Sequence, residues 1–285
     1  MFDNCILLLF GHFLENDVLQ FGFQSGCSTT QCTWAVQETI SYYLSRGSSV
    51  YSCLLDFSKA FDKVNFEELF YKLSGRDFPP IVLRLLIHVY LNQSCFVRWN
   101  SKRSEESFVV KNGVRQGAIL SPSLFCVYLD SLFVKLRECG LGCHIGGVFV
   151  GAFGYADDVI ILAPSRLALQ KMLDICENFA IEHSMQFSTD SNPSKSKTKC
   201  ILFSRTISNE NVKNVLLNGN ELPWVESAKH LGNLLANKIN YRFMSPDTKM
   251  DLRQKRAIFF QRCHQIMQQF GQYHPQMATH LLTVY

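Results

Sequence analysis

The chain has 285 residues, of which 47% are hydrophobic and 18% charged, with a net charge of +4. That length and apolar fraction support a sizeable core in one large domain or two small ones. The opening MFDNCILLLF lacks the basic start of a secretory signal, and no run approaches the roughly 18 apolar residues of a membrane span. The 11 cysteines are odd in number and form no Cys-x-x-Cys pair, so the expectation is a reduced intracellular protein with buried thiols rather than a disulfide framework. Cys139, Cys143 and His144 lack a fourth zinc ligand at suitable spacing. The mild positive charge is compatible with a polyanionic partner without requiring one.

In chain order, residues 4–16 read as a short helix and Gln20 to Cys27 as a glycine-containing loop. Ser28-Thr29-Thr30-Gln31 is a capping box. It opens a helix to about Arg46 with Trp34, Ala35, Ile40, Tyr43 and Leu44 near helical spacing. Val50 to Phe57 is a buried strand with Asp56 near its end. Phe66 to Leu73 and Ile81 to Leu91 are helices separated by the breaker Asp77-Phe78-Pro79-Pro80. Cys95 to Asn100 and Ser107 to Lys111 alternate as two strands joined by a charged turn. After the loop Asn112 to Gly117, Ser121-Pro122 starts a helix to about Cys139, with the serine as cap.

Gly146 to Phe153 and Val159 to Ala163 are apolar strands flanking Asp157-Asp158, which suggests a β-hairpin with acids at its tip. Ser165 to His183 is a serine-capped helix, and Ser188 to Lys199 is a polar loop. Short strands follow, around the turn Asn218-Gly219 and over Trp224 to Leu234. A basic helix runs from Pro246 to about Phe270, with a last helical piece to the terminus. Its Lys249, Arg253, Lys255 and Arg256 suit either a solvated face or a nucleic-acid backbone. Interleaved strands and helices give an α+β layer, with helices on one face of a sheet.

Two carboxylates about 4 Å apart repel by roughly 4 kcal/mol at an effective dielectric of about 20. Bound cations remove that cost, so the tip reads as a metal site. Asp56 placed beside Asp157 and Asp158 in one sheet makes an oxygen-rich cage suited to Mg²⁺. Such a site fits phosphoryl transfer, which needs positioning and charge neutralisation more than a protein nucleophile.

Six stretches occur in one order: QFGFQSGCSTT, CLLDFSKAFDKV, NGVRQGAILSPSLF, YADDVIIL, NPSKSKTKCILF and AKHLGNLL. Together they resemble the reverse transcriptase domain of non-LTR, LINE-like retrotransposons. The resemblance implies a right-hand polymerase: a ferredoxin-like antiparallel palm sheet, part of the fingers and the start of a thumb. Residues 1–240 are expected as fingers and palm, and 241–285 as the start of the thumb. The implied activity is RNA-directed DNA polymerisation with two Mg²⁺ ions, or Mn²⁺ in their place. The implied partners are an RNA template, a DNA primer and a deoxynucleoside triphosphate, with no membrane.

The resemblance implies residue roles as well. Asp56 and Asp157 would hold the metal pair, with Asp158 less central. Phe61 would be the aromatic gate under the incoming sugar, and the backbone from Phe57 would lie near the triphosphate. Gln116 and Gly117 would line nucleotide and template. Lys195 would assist the leaving pyrophosphate, with Lys197 its close competitor. His230, Leu231 and Gly232 would form the primer grip. Family members carry a basic residue where this chain has Gln24, which would meet the triphosphate. A neutral amide donates a hydrogen bond there but cannot neutralise phosphate charge.

The chain is expected to be a piece of a longer polyprotein or a decayed genomic copy, its endonuclease and the rest of its thumb elsewhere. The expected setting is a ribonucleoprotein in nucleus or cytoplasm. The alternatives are an inactive nucleic-acid-binding remnant and a group II intron-type maturase.

Overall fold

The computed structural model describes residues 2–190, 192–206, 212–237, 239–240, 245–246 and 249–270. Helix α1 (Phe2–Phe10) passes through a tight turn, Gly11–Leu14, into the loop that holds the QFGF stretch. Helix α2 (Thr29–Ser45) starts as its capping box predicts: Ser28 Oγ accepts from the Gln31 amide at 3.2 Å. Cys32, Val36, Ile40 and Leu44 recur every four residues and are fully buried. Trp34 was expected on that stripe but is 62% exposed. Two residues from Cys32 is about 200° around the helix, so it faces the other way.

Strand β1 (Val50–Leu55) follows. Helix α3 (Phe66–Ser74) is capped by Asn65, whose Oδ1 accepts from the Glu68 amide at 3.2 Å. Helix α4 (Pro80–Leu91) begins at the predicted breaker. The next segment departs from two simple strands. An outer ladder pairs β2 (Ser94–Cys95) with β5 (Phe108–Val109). An inner ladder pairs β3 (Arg98–Trp99) with β4 (Lys102–Arg103). Asn100 and Ser101 both have positive φ, the pattern of a two-residue hairpin turn. The charged stretch therefore supplies a turn and a strand, not a connecting loop.

Helix α5 (Ser121–Glu138) carries Pro122 in its first turn as expected, but Ser121 is its first helical residue and does not cap it. Gly146-Gly147 turns the chain between β6 (His144–Ile145) and β7 (Val148–Phe149), so the upstream arm of the acidic hairpin is shorter than predicted. That hairpin is β8 (Ala152–Tyr155) and β9 (Asp158–Ala163). Ser165 caps α6 (Arg166–Glu182) by accepting from the Ala168 amide at 3.1 Å. Then come β10 (Lys199–Phe203), the hairpin β11 (Leu216–Leu217) with β12 (Asn220–Glu221), and the hairpin β13 (Ser227–His230) with β14 (Asn233–Ala236). Further on, α7 spans Lys249–Phe270. The expected domain boundary near residues 241–247 falls largely outside the described residues, as does the last helical piece.

Four strands make the central sheet, ordered β10-β1-β9-β8 and antiparallel throughout. Counted in chain order, that is 4-1-3-2, with helices after the first and third strands. This is the ferredoxin-like βαββαβ arrangement. Cys53, Leu55, Val159 and Ile161 face a core built with Leu124, Tyr128, Leu173 and Phe179 of α5 and α6. Leu54, Ile160, Leu162 and Ile201 alternate to the other face and pack with the buried stripe of α2. The expected helix layer is thus α5 and α6, and α2 adds a cover on the opposite side. Burial on both faces explains why residues 159–163 are apolar without alternation.

Candidate active site

The register of the two central strands decides where the acids lie. Leu55 pairs with Val159, and Tyr155 pairs with Asp158. One step past Leu55, Asp56 therefore stands at the strand end beside Asp158. Alternation gives both residues the face that carries Leu54 and Ile160. Asp157 occupies the turn. Both turn acids have pKa values pushed above the usual carboxylate range. For Asp157, loss of solvent is the first cause, with the charge of Asp56 adding to it. For Asp158, loss of solvent is again first, followed by the charges of Asp157 and Asp56. The charges of the neighbouring acids thus add to the effect of burial. Among the described residues, however, no group of three carboxylate, imidazole or thiol side chains is arranged to hold a metal ion by itself.

The turn itself is constrained. Ala156 has φ +56°, whereas Asp157 does not have positive φ. Positive φ at the first central residue alone is the type II′ pattern, which favours glycine there. An alanine in such a region costs on the order of 1–3 kcal/mol.

Polar-loop residues close the site from the β10 side. The Asp56 amide donates to Thr198 Oγ1 at 3.2 Å, and its carbonyl accepts from the Ser188 amide at 2.7 Å. This tether brings Lys197 Nζ to 4.0 Å from Asp56 Oδ2. A cleft of about 390 Å³ opens here, lined by Asp56, Asp158, Lys197, Lys199, Lys229 and His230 among others. Lys195 is exposed on the short turn Pro193–Lys195 and does not line the cleft. Of the two competing lysines, Lys197 is the one brought to the acids. Lys199 and Lys229 had no assigned role, although Lys199 belongs to the same lysine run.

His230 ends β13, and Leu231-Gly232 forms a turn in which both residues have positive φ. The imidazole is 4% exposed and neither ring nitrogen has a hydrogen-bond partner. Burial pushes its pKa down to about 4, so it is neutral at physiological pH.

The remaining candidates flank this centre. Phe57 is buried against Phe187, with ring centroids 4.4 Å apart. Phe61 stacks on Phe125 at 4.5 Å. Gln116 Nε2 donates to Asp62 Oδ1 at 3.1 Å. The Gly113 and Val114 amides donate to the carbonyls of Val64 and Phe61, so the Gln116-Gly117 loop is docked on the segment that carries Phe61. Asp62 serves that docking. Gln24 does not line the cleft, and its amide donates to the Asp17 carbonyl at 3.3 Å.

Residues 8–234 match the family model for reverse transcriptase (RNA-dependent DNA polymerase). The chain belongs to the reverse transcriptase family. It is 27% identical over 229 residues to the RNA-directed DNA polymerase from mobile element jockey of Drosophila funebris, covering 78% of the chain and 24% of that protein. The probable RNA-directed DNA polymerase from transposon X-element of Drosophila melanogaster is 29% identical over 243 residues, or 84% of the chain and 25% of that protein. The Pol polyprotein from type-2 retrotransposable element R2DM of the same fly is 32% identical over 126 residues, or 44% of the chain and 12% of the polyprotein. This reverse transcriptase chain thus spans a quarter or less of the length of these relatives. Telomerase from Candida tropicalis, solved in complex with a fragment of telomeric RNA, superposes with a TM-score of 0.56 at 14% identity, covering 87% of the chain and 37% of the telomerase. That likeness establishes a shared polymerase palm fold.

Proposed function

We propose that this chain is the polymerase core of a non-LTR retrotransposon reverse transcriptase and extends a DNA primer on an RNA template. The observation that carries the reading is the meeting of Asp56 with the Asp157-Asp158 turn at one end of a 4-1-3-2 sheet, with Lys197 beside them. The donor set is all oxygen and too small to complete a coordination shell. That suits Mg²⁺, which commonly takes one or two carboxylates and fills its shell with substrate phosphates and water. When bound, a pair of such ions polarises the primer hydroxyl and neutralises the leaving pyrophosphate.

The residues of the chain supply position and charge. Asp56 and Asp157 would hold the ions, with Asp158 adjusting the local charge. Lys197, nearer the acids than the expected Lys195, offsets charge on the triphosphate. Phe61 excludes the 2′-hydroxyl of a ribonucleotide, and Gln116 and Gly117 bound the nucleotide and template. His230, Leu231 and Gly232 seat the primer end. Residues 1–240 are assigned to the fingers and palm, and 241–285, which lie partly outside the described residues, to the start of the thumb. No helix among the described residues is long and apolar enough to cross a membrane.

Incorporation of labelled deoxynucleotide on an RNA template tests this reading. Wild type is expected to incorporate only with a divalent cation, and Asp157→Ala is expected to be inactive. Equal incorporation by both rejects it. Template–primer binding without extension by wild type supports an inactive remnant instead.

A further inference from the structure

Gln20 opens the QFGF stretch and had no assigned role. Its polar side chain is buried, 1% exposed, and it stands against the tip of the acidic hairpin. Its Oε1 accepts from the Ala156 amide at 2.9 Å and from the Gly22 amide at 2.8 Å, while its Nε2 donates to the Ala156 carbonyl at 3.2 Å. One side chain thus holds both backbone groups of the residue preceding Asp157. The surrounding backbone reinforces the contact. The Phe21 amide donates to the Gly154 carbonyl at 2.7 Å, and the Gly154 amide donates to the Leu19 carbonyl at 2.8 Å. Gly22 lies so close that a Cβ there would collide with the Ala156 nitrogen.

This contact answers the positive φ of Ala156. A non-glycine residue keeps such a conformation only where its surroundings over-determine it. A primary amide is well suited, because it donates and accepts at once. Glutamate, when ionised, only accepts, and an apolar side chain does neither. Release of Ala156 would let the turn relax and re-aim the carboxylate of the next residue. We propose that Gln20 is a positioning residue that clamps the Ala156-Asp157 turn and so holds Asp157 ready for a divalent cation. The inference rests on the polymerase reading only in taking Asp157 as a metal ligand.

Two readouts separate the possibilities. Mn²⁺ binding to the chain without nucleic acid is followed by electron paramagnetic resonance, and kcat and nucleotide KM are measured in RNA-templated extension. Gln20→Met keeps the volume and removes the hydrogen bonds. Its Mn²⁺ dissociation constant is expected to rise about tenfold, the lower end for loss of a residue that orients a metal ligand. Its kcat is expected to fall by a similar factor with KM unchanged. Gln20→Glu keeps the acceptor and is expected to have a kcat between wild type and Gln20→Met. Wild-type Mn²⁺ affinity and kcat in folded Gln20→Met overturn the proposal. Should Gln20→Met fail to fold, a wild-type kcat in Gln20→Glu overturns it. A wild-type chain that binds Mn²⁺ but extends no primer contradicts the polymerase reading alone, and one that binds no Mn²⁺ overturns both.

Discussion

Asp56 stands beside Asp158 because Leu55 pairs with Val159, so a strand register holds together two like charges from the first and third strands of the palm sheet. The fold tolerates this repulsion, which adds to loss of solvent in raising the pKa values of Asp157 and Asp158. A carboxylate whose folded pKa is raised binds more protons in the native state. Stability is therefore lost as pH rises from the ordinary carboxylate value through the raised one. Without metal at neutral pH, Asp158→Asn is expected to raise the thermal midpoint by about 1–3 °C, the scale of up to roughly 1 kcal/mol in a chain of this size. Differential scanning calorimetry in chelator checks it. A lower midpoint shows that Asp158 is not in repulsive contact.

His230 carries the opposite sign. Its folded pKa of about 4 lies below the ordinary histidine value of 6.5. The unfolded state binds the proton first, so stability is lost as pH falls from 6.5 towards 4. A shift of that size corresponds to about 3 kcal/mol at most. In denaturant unfolding across this range, wild type is expected to lose stability relative to His230→Phe as pH falls. A constant difference between them contradicts a buried neutral imidazole.

The lysine assignment is open to direct comparison. Lys197→Ala is expected to lower kcat roughly tenfold, less than the loss of a buried oxyanion donor because this side chain is 73% exposed. Lys195→Ala is expected to do less. Extension rates at saturating nucleotide decide it, and the reverse order restores Lys195.

Phe61→Ala is expected to raise ribonucleotide use relative to deoxynucleotide by about tenfold or more, measured as the ratio of kcat/KM values. It also removes the stack on Phe125, worth about 0.5–1.5 kcal/mol beyond burial. An unchanged ratio with lowered stability assigns Phe61 to the core alone.

Local signals made much of the fold legible. Ser28 and Ser165 cap where their neighbours say they should, and the apolar runs around Asp157 are strands. The failures are also local. Trp34 misses the expected stripe by half a turn, and the run read as one strand from Gly146 to Phe153 divides at Val150-Gly151 into β7 and β8. Ser121 stands inside its helix because Leu120 takes the cap position. The site was legible as a set of motifs, but its internal contacts were not. Whether Lys195 or Lys197 meets Asp56 depends on the Thr198 tether, and the Gln20 clamp spans 136 residues. Neither hydrogen bond leaves a periodic or local trace in sequence.

Asp56 and the Asp157 turn are proposed to form one polymerase centre. Primer extension on an RNA template, comparing wild type with Asp56→Ala and Asp157→Ala at equal Mg²⁺, tests it most directly. Each substitution alone is expected to abolish Mg²⁺-dependent extension while template–primer binding persists. Wild-type extension by either variant would contradict it.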